Sequence, residues 1–71
     1  MNKLDARGLS CPEPVIMIRK AMMSKEAAYE IIVDNAARRE NVTRYANHQG
    51  YNVTVTEKDG EFTLSIKKWN L

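Results

Sequence analysis

The stretch that decides the fold is Ser10-Cys11-Pro12-Glu13-Pro14, which sets where the first helix begins. Ser10 and Glu13 have the spacing of a capping box, in which each side chain accepts a hydrogen bond from the other residue's backbone amide. Cys11 would then be the first helical residue. Both prolines fall in the first turn, where backbone amides have no intrahelical acceptor, so they are tolerated and stiffen the helix start.

The segments on either side of this stretch predict a strand followed by a helix. Residues 3–7 suit a short strand, which Gly8 ends. The helix should span about residues 11–24, because apolar residues recur at helical spacing at Val15, Ile18 and Met22.

The second half of the chain predicts a strand, a helix and a hairpin. Residues 29–34 contain a β-branched run typical of a central strand covered on both faces or nearly so. The next helix is capped by Asp34 or Asn35 and reaches about Gln49. Two alternating segments then flank the turn Asp59-Gly60.

The resulting order, βαβαββ, predicts a two-layer α+β sandwich with a four-stranded mixed sheet and both helices on one face. The 71 residues form one domain, residues 1–71. Both helices follow strands of the parallel pair, so their N-terminal ends should open on the same edge of the sheet, where ligand chemistry is favoured.

Composition excludes several classes of protein. No segment approaches the roughly 20 apolar residues of a membrane span, and the N-terminus does not resemble a secretory signal, so we expect a cytoplasmic protein. A net charge of +2 is too small for a dedicated nucleic-acid binder. With one cysteine and one histidine, the chain predicts no disulfide, no redox pair, no metal site and no cofactor of its own.

Cys11 is the strongest candidate for chemistry. Unpaired amides and the positive end of the helix dipole stabilise an anion at a helix start, which lowers the pKa of a thiol and favours a persulfide anion equally. Cap residues belong at a surface, which argues against the alternative that Cys11 is a small buried hydrophobe. A nucleophile pair of Cys11 with His48 is a further alternative that no signature supports.

Four other side chains are candidates for supporting roles. Arg7 precedes Cys11 by four residues, close enough to stabilise its thiolate or to bind an acidic group of a partner. The alternative is that Arg7 is a solvated loop residue. We hypothesise that Arg7, Arg38 and Arg39 form a basic rim around Cys11; the alternative is that the two helix arginines pair with Glu40 or Asp34. Met17 should lie off the core stripe and is a candidate contact for a docking protein, or else core filler.

Residues 4–14, with the pattern Leu-Asp-x-Arg-Gly-Leu-x-Cys-Pro-x-Pro, closely resemble the TusA/SirA/YedF family of sulfur-carrier proteins. The resemblance continues along the helix and covers essentially the whole chain. It implies that Cys11, supported by Gly8 and its cap residues, receives sulfur as a persulfide from a cysteine desulfurase or another carrier. It also implies an acceptor relay protein or enzyme, with transfer RNA thiolation as one destination, and a carrier rather than a stand-alone enzyme.

The second half is similar to the N-terminal domain of YedF-type selenium-metabolism proteins, in residues 33–42, 49–51 and 57–60. Those proteins typically continue into a second, DsrE-like domain that is absent from these 71 residues, so we expect either a stand-alone member of the family or an excised domain. Because YedF-type proteins act in selenium metabolism, the resemblance makes selenium an alternative to sulfur as the cargo.

Two alternatives from other functional classes remain open. One is nucleic-acid binding, because the predicted sandwich is similar to the C-terminal domain of a translation initiation factor and Arg38, Arg39 and Arg44 share a helix. The other is a regulatory interaction module in which Cys11 is only structural.

Overall fold

The computed structural model describes residues 2–9, 13–24 and 26–68. Within them the element order is the predicted one, and the α+β fold class is confirmed. The elements are β1 (Asn2–Asp5), α1 (Glu13–Met22), β2 (Ala28–Val33), α2 (Ala36–His48), β3 (Tyr51–Lys58) and β4 (Glu61–Lys68).

The four strands form one mixed sheet in the order β1-β2-β4-β3. β1 runs parallel to β2, whereas β4 is antiparallel to both β2 and β3. β2 therefore lies inside the sheet, as its β-branched run predicted. β1 and β3 are the two edge strands.

Both helices pack on one face of the sheet. α1 contacts β1 and β2, α2 contacts β3 and β4, and the two helices contact each other. The helix-facing residues of the two inner strands are buried, and their neighbours on the opposite face are half-buried. β2 is thus fully covered on one face only. The buried residues of these strands are Tyr29, Ile31, Val33, Phe62, Leu64 and Ile66.

Two elements end two residues earlier than the sequence pattern predicts. β1 stops at Asp5 rather than residue 7, because the Asp5 carboxylate accepts a hydrogen bond from the Arg7 amide (3.1 Å) and turns the chain. α1 stops at Met22 rather than residue 24, because Met23 and Ser24 donate to carbonyls three residues back, which tightens the last turn. The predicted start of this helix at Cys11 lies outside the described residues.

Local chemistry explains the ends of α2 and the hairpin. The Asn35 side chain accepts hydrogen bonds from the amides of Ala37 (2.8 Å) and Arg38 (3.3 Å), so Asn35 is the cap. The hairpin turn has positive φ at both Asp59 (53°) and Gly60 (79°), which suits the right-handed twist of its strands.

The starts of both helices lie at one edge of the sheet. β1 and β2 are parallel and end there, α1 and α2 begin there, and the β3–β4 turn lies there because β4 runs against β2. We call this edge, formed by residues 6–9, 34–35 and 59–60, the helix-start edge. It is the edge at which the sequence predicts the chemistry.

Leu64 and Val55 face each other in the register of β4 and β3, but only Leu64 is fully buried, whereas Val55 is 40% exposed. We expect Leu64→Ala to lower the free energy of unfolding by about 2–5 kcal/mol through lost packing and a cavity. Val55→Ala, the matched control, should cost less than about 1 kcal/mol. Urea denaturation of both variants measures the difference, and equal losses would contradict the assignment of the core.

Candidate functional site

Cys11 belongs to the connection between β1 and α1. Ser10, Cys11 and Pro12 lie outside the described residues, so the capping box and the helical position of Cys11 stay predictions. The structure does describe the residues on both sides of them, Leu9 and Glu13. The contacts of those flanking segments determine how the connection is anchored.

Gly8 anchors the connection on its upstream side. Its φ of +77° is in the left-handed region that glycine adopts readily. Its amide donates a hydrogen bond to the Asp34 carboxylate at 2.8 Å. Because Asp34 follows β2 directly, this bond ties the loop before α1 to the loop before α2 across the helix-start edge.

Arg7 is held between two carboxylates. Its guanidinium donates to both oxygens of Asp5, with Nε–Oδ1 at 2.9 Å and Nη2–Oδ2 at 2.7 Å, and to Oε2 of Glu61 at 3.2 Å. The side-chain and backbone hydrogen bonds from Arg7 lower the pKa of Asp5 from its ordinary value of 3.8 to about 2. The hydrogen bonds to Asp5 and Glu61 raise the pKa of Arg7 above its ordinary value.

Pro14 anchors the connection on its downstream side. The described part of α1 begins at Glu13, so Pro14 lies in the first described turn, and both Pro14 and Ile18 are fully buried. Glu13 is exposed, and a carboxylate in the first turn of a helix interacts favourably with the dipole. The start of α1 is therefore fixed by core packing.

The prediction that Met17 lies off the core stripe is wrong. Met17 is half-buried and packs against the core, because the stripe of α1 begins at Pro14 and Met17 lies three residues further along it. The exposed methionine is Met23, at 77%. A role of Met17 in partner docking stays a prediction.

Arg38 and Arg39 have different surroundings. The Arg39 guanidinium lies 4.9 Å from the centre of the Phe62 ring and 3.9 Å from the Glu40 carboxylate. Nε of Arg38 is buried and has no hydrogen-bond partner among the described residues. Arg7 and Arg39 thus have acidic partners of their own. The basic rim itself stays a prediction, because Cys11 is outside the described residues.

His48 lies away from the helix-start edge. It is the last residue of α2, whose 13 residues span about 18 Å from that edge. Leu9 and Glu13, the described neighbours of Cys11, lie near the start of the helices, so the geometry does not favour a pair of Cys11 with His48.

The described residues form no metal-binding cluster and no membrane-spanning helix. Among residues 2–9, 13–24 and 26–68, no three histidine, cysteine or carboxylate side chains are grouped as metal ligands. In the same part of the chain, no helix is long and apolar enough to cross a bilayer.

Two residues of the site were missed by sequence reasoning. The sequence suggests Asp34 as a helix cap or as an ion-pair partner of Arg38 and Arg39, yet Asn35 caps α2 while the Asp34 carboxylate accepts a hydrogen bond from the Gly8 amide. Glu61 pairs with Arg7 across 54 positions. The Asp34-Asn35 pair after β2 is a signal for the contact with Gly8, since only one of the two residues can be the cap. The contact of Glu61 with Arg7 depends on the order of the strands, which no local sequence pattern contains.

The Asp5 carboxyl should titrate at about pH 2 in the folded protein, and Arg7→Met should raise its midpoint toward 3.8. Because the folded pKa is below the ordinary one, the stabilisation from this contact is present above pH 3.8 and lost as the pH falls to about 2. NMR titration of the side-chain carboxyl measures both midpoints. Arg44→Met removes a distant arginine and is the control; an unchanged midpoint in Arg7→Met would refute the assignment.

Comparison with known proteins places these features in a family. The model of the family described as sulfurtransferase TusA matches residues 2–68. A proposed sulfur carrier protein of Methanocaldococcus jannaschii is 35% identical over 71 residues, which cover 96% of this chain and 95% of the relative. The sulfur carrier protein TusA of Pseudomonas putida is 31% identical over 68 residues, with 92% and 85% coverage.

A solved structure agrees with the sequence comparison. The crystal structure of a SirA-like protein from Desulfitobacterium hafniense superimposes with a TM-score of 0.88 at 37% identity, covering 94% of this chain and 96% of the other. Fold, family model and relatives agree along nearly the whole chain. The chain is therefore a member of the TusA family of sulfur carriers.

Proposed function

We propose that this chain relays sulfur as a persulfide on Cys11, between a protein donor and a protein or enzyme acceptor. The observation that carries the proposal is that the only cysteine of a TusA-family chain falls two residues before the described start of α1. A helix start offers unpaired amides and the positive end of the dipole, which favour an anionic sulfur.

The transfer steps balance without an external oxidant or reductant. The Cys11 thiolate attacks the outer sulfur of a persulfide on the donor; a new S–S bond forms, the donor's S–S bond breaks, and the donor thiolate leaves. The acceptor thiolate then attacks the outer sulfur on Cys11 in the same way and regenerates the Cys11 thiolate. Each step needs an accessible thiolate, and none needs a cofactor bound to this chain.

The anchors of the connection support this role. Gly8 is bonded to Asp34 upstream, and Pro14 is buried downstream, so the stretch that contains Cys11 is fixed at both ends. A carrier benefits from such anchoring because its sulfur must reach two different partners in a defined geometry. Ser10 and Pro12 are proposed to complete the helix start.

Among the three arginines of the basic rim, Arg38 is the one we propose to interact with the charged sulfur or with a partner's acid. Arg7 is neutralised by Asp5 and Glu61, and Arg39 has Phe62 and Glu40 beside it. Arg38 lies in the N-terminal turn of α2, on the same edge as the start of α1. Its Nε has no hydrogen-bond partner among the described residues.

The proposed donor is a cysteine desulfurase or another carrier, and the proposed location is the cytoplasm, where a free thiol stays reduced. Sulfur is the proposed cargo. Selenium is the alternative that follows from the resemblance to YedF-type proteins. Loading with donor enzyme that carries sulfur or selenium, compared at equal concentration, separates the two.

Incubation with a cysteine desulfurase and cysteine should add one sulfur atom to the chain, and a reductant should remove it. Intact mass measurement detects the gain, and Cys11→Ser should abolish it while the fold, followed by circular dichroism, is unchanged. The double variant Cys11→Ser with Ser24→Cys moves the thiol to the exposed C-terminal end of α1 and is the matched control. Equal loading of this control would show that position contributes nothing, and no loading of the natural chain would refute the proposal.

Reversal of both charges in Arg38→Glu with Arg39→Glu should slow sulfur transfer from the donor about tenfold, by weakening encounter with an acidic surface or an anionic sulfur. Intact mass measurement of samples quenched at set times gives the rate of sulfur transfer. Arg19→Glu with Lys20→Glu makes the same charge change on exposed residues near the other end of α1 and should alter the rate much less. Equal rates in the two double variants would exclude a role for the arginines.

A further inference from the structure

β3 is the longer of the two edge strands, with eight residues against four in β1. A long edge strand is a template for pairing with another strand, and natural proteins usually shorten or cover it. In the middle of β3, Val55 is 40% exposed, although it pairs with the buried Leu64 and lies on the helix-facing side. A groove of about 560 Å³ separates it from the outer flank of α2. We call the β3 edge and this groove the β3 surface.

The backbone groups of alternate β3 residues point outward from the sheet. Lys58 and Glu61 flank the two-residue turn, and residues in that position pair with each other through backbone hydrogen bonds. Because these groups alternate in direction along a strand, Glu57, Val55 and Val53 direct their N–H and C=O groups away from β4. The side chains of the same three residues lie on the helix-facing side. A strand added at this edge would pair with their backbone.

The β3 surface carries as many carboxylates as arginines. Arg39, Glu40 and Arg44 line the groove from α2, and Glu57 lies on the same side of the sheet as Val55. Such a balanced surface does not select a strongly acidic or a strongly basic partner. It suits a copy of itself, provided that a two-fold axis brings its opposite charges together.

Antiparallel pairing of β3 with β3 of a second copy is free of charge conflicts in one register. A two-fold axis at Val55 would place Val55 opposite itself, and Thr54 opposite Thr56. Lys58 would lie opposite Asn52, not opposite another lysine. The outward-directed backbone groups of each strand would meet those of the other, and no two like charges would be directly opposite within the paired strands.

The same axis would bring the two α2 helices into contact. α2 packs over both β3 and β4, so it lies about half a strand spacing in from the edge strand. On a sheet continued through both copies, the two helices would be separated by two strand spacings, about 10 Å, which is typical of packed helices.

The outer flank of α2 complements its own copy in that arrangement. Glu40 and Arg44 are about one helical turn apart and both line the groove. Arg44 donates a hydrogen bond to the Asn41 side chain (3.1 Å), but it has no ion pair among the described residues. Because two-fold related helices run antiparallel here, Glu40 of each copy can pair with Arg44 of the other.

We propose that the β3 surface binds a second copy of this chain, which forms a two-fold symmetric dimer with a continuous sheet of four strands from each copy. Val55 lies at the axis, and two reciprocal pairs of Glu40 with Arg44 lie beside it. β1 and α1, between which Cys11 lies in sequence, are on the other side of each copy, so the interface does not cover them. The dimer is independent of the sulfur chemistry and can fail while the persulfide proposal stands.

The oligomeric state of the full chain tests this proposal, in a reducing buffer so that no disulfide forms through Cys11. Sedimentation equilibrium over about 10 μM to 1 mM protein should show a reversible monomer–dimer equilibrium. Arg44→Glu should weaken the dimer about tenfold, because it places like charges together at two symmetric positions, and Glu40→Arg should do the same. The double variant Glu40→Arg with Arg44→Glu exchanges the two charges and should restore the dimer.

A disulfide cross-link tests the register. In a Cys11→Ser background, Val55→Cys places two thiols at the axis, where the Cα atoms of paired residues are about 5.5 Å apart, within the range of a disulfide. Oxidised glutathione should therefore link this variant into a covalent dimer. Asn52→Cys, exposed on the same strand but opposite Lys58 of the copy, is the control and should link much less.

Three results would overturn the proposal. They are a monomer at every concentration up to about 1 mM, no recovery of the dimer when the charges of Glu40 and Arg44 are exchanged, and equal cross-linking of Val55→Cys and Asn52→Cys. Circular dichroism of each variant checks that a lost dimer does not reflect a lost fold.

Discussion

The structure depends on β2, whose helix-facing side is fully buried beneath the helix layer. Tyr29, Ile31 and Val33 are fully buried, and a buried side chain of this size contributes about 1.5–3 kcal/mol by leaving water. The Tyr29 ring also packs on Tyr51 of β3, with ring centres 5.8 Å apart, so the central strand is linked to the far edge of the sheet.

The direction of β2 also determines where function can be located. Because β2 is parallel to β1, the loops that follow the two strands meet at one edge, and the hydrogen bond from Gly8 to Asp34 joins them there. Because β4 is antiparallel to β2, Glu61 at its start comes within reach of Arg7. The connection that contains Cys11 is thus anchored by contacts that exist only when the whole sheet is formed.

The sequence predicted the elements better than it predicted their contacts. Element order, sheet class, the central position of β2, a cap at Asp34 or Asn35 and the turn at Asp59-Gly60 follow from periodicity and turn chemistry, which are local. Element ends were less accurate, since the side chain of Asp5 ends β1. The apolar spacing of Val15, Ile18 and Met22 places Met17 off the core. The buried stripe of α1 in fact begins at Pro14, so Met17 packs against the core.

The contacts of Arg7 bear on how an anionic sulfur at this edge would be stabilised. Sequence proximity suggested Arg7 as the cation for the thiolate, but its charge is already engaged by two carboxylates, and Asp34 adds a third at the same edge. Side-chain charge at the described part of the edge is therefore mixed and would give an anion little net attraction. The backbone amides at the start of α1 do not depend on that balance, because their dipoles are fixed by the helix. For the persulfide proposed on Cys11, the helix start would therefore contribute more stabilisation than Arg7, whose contacts with Asp5 and Glu61 instead hold the loop in place.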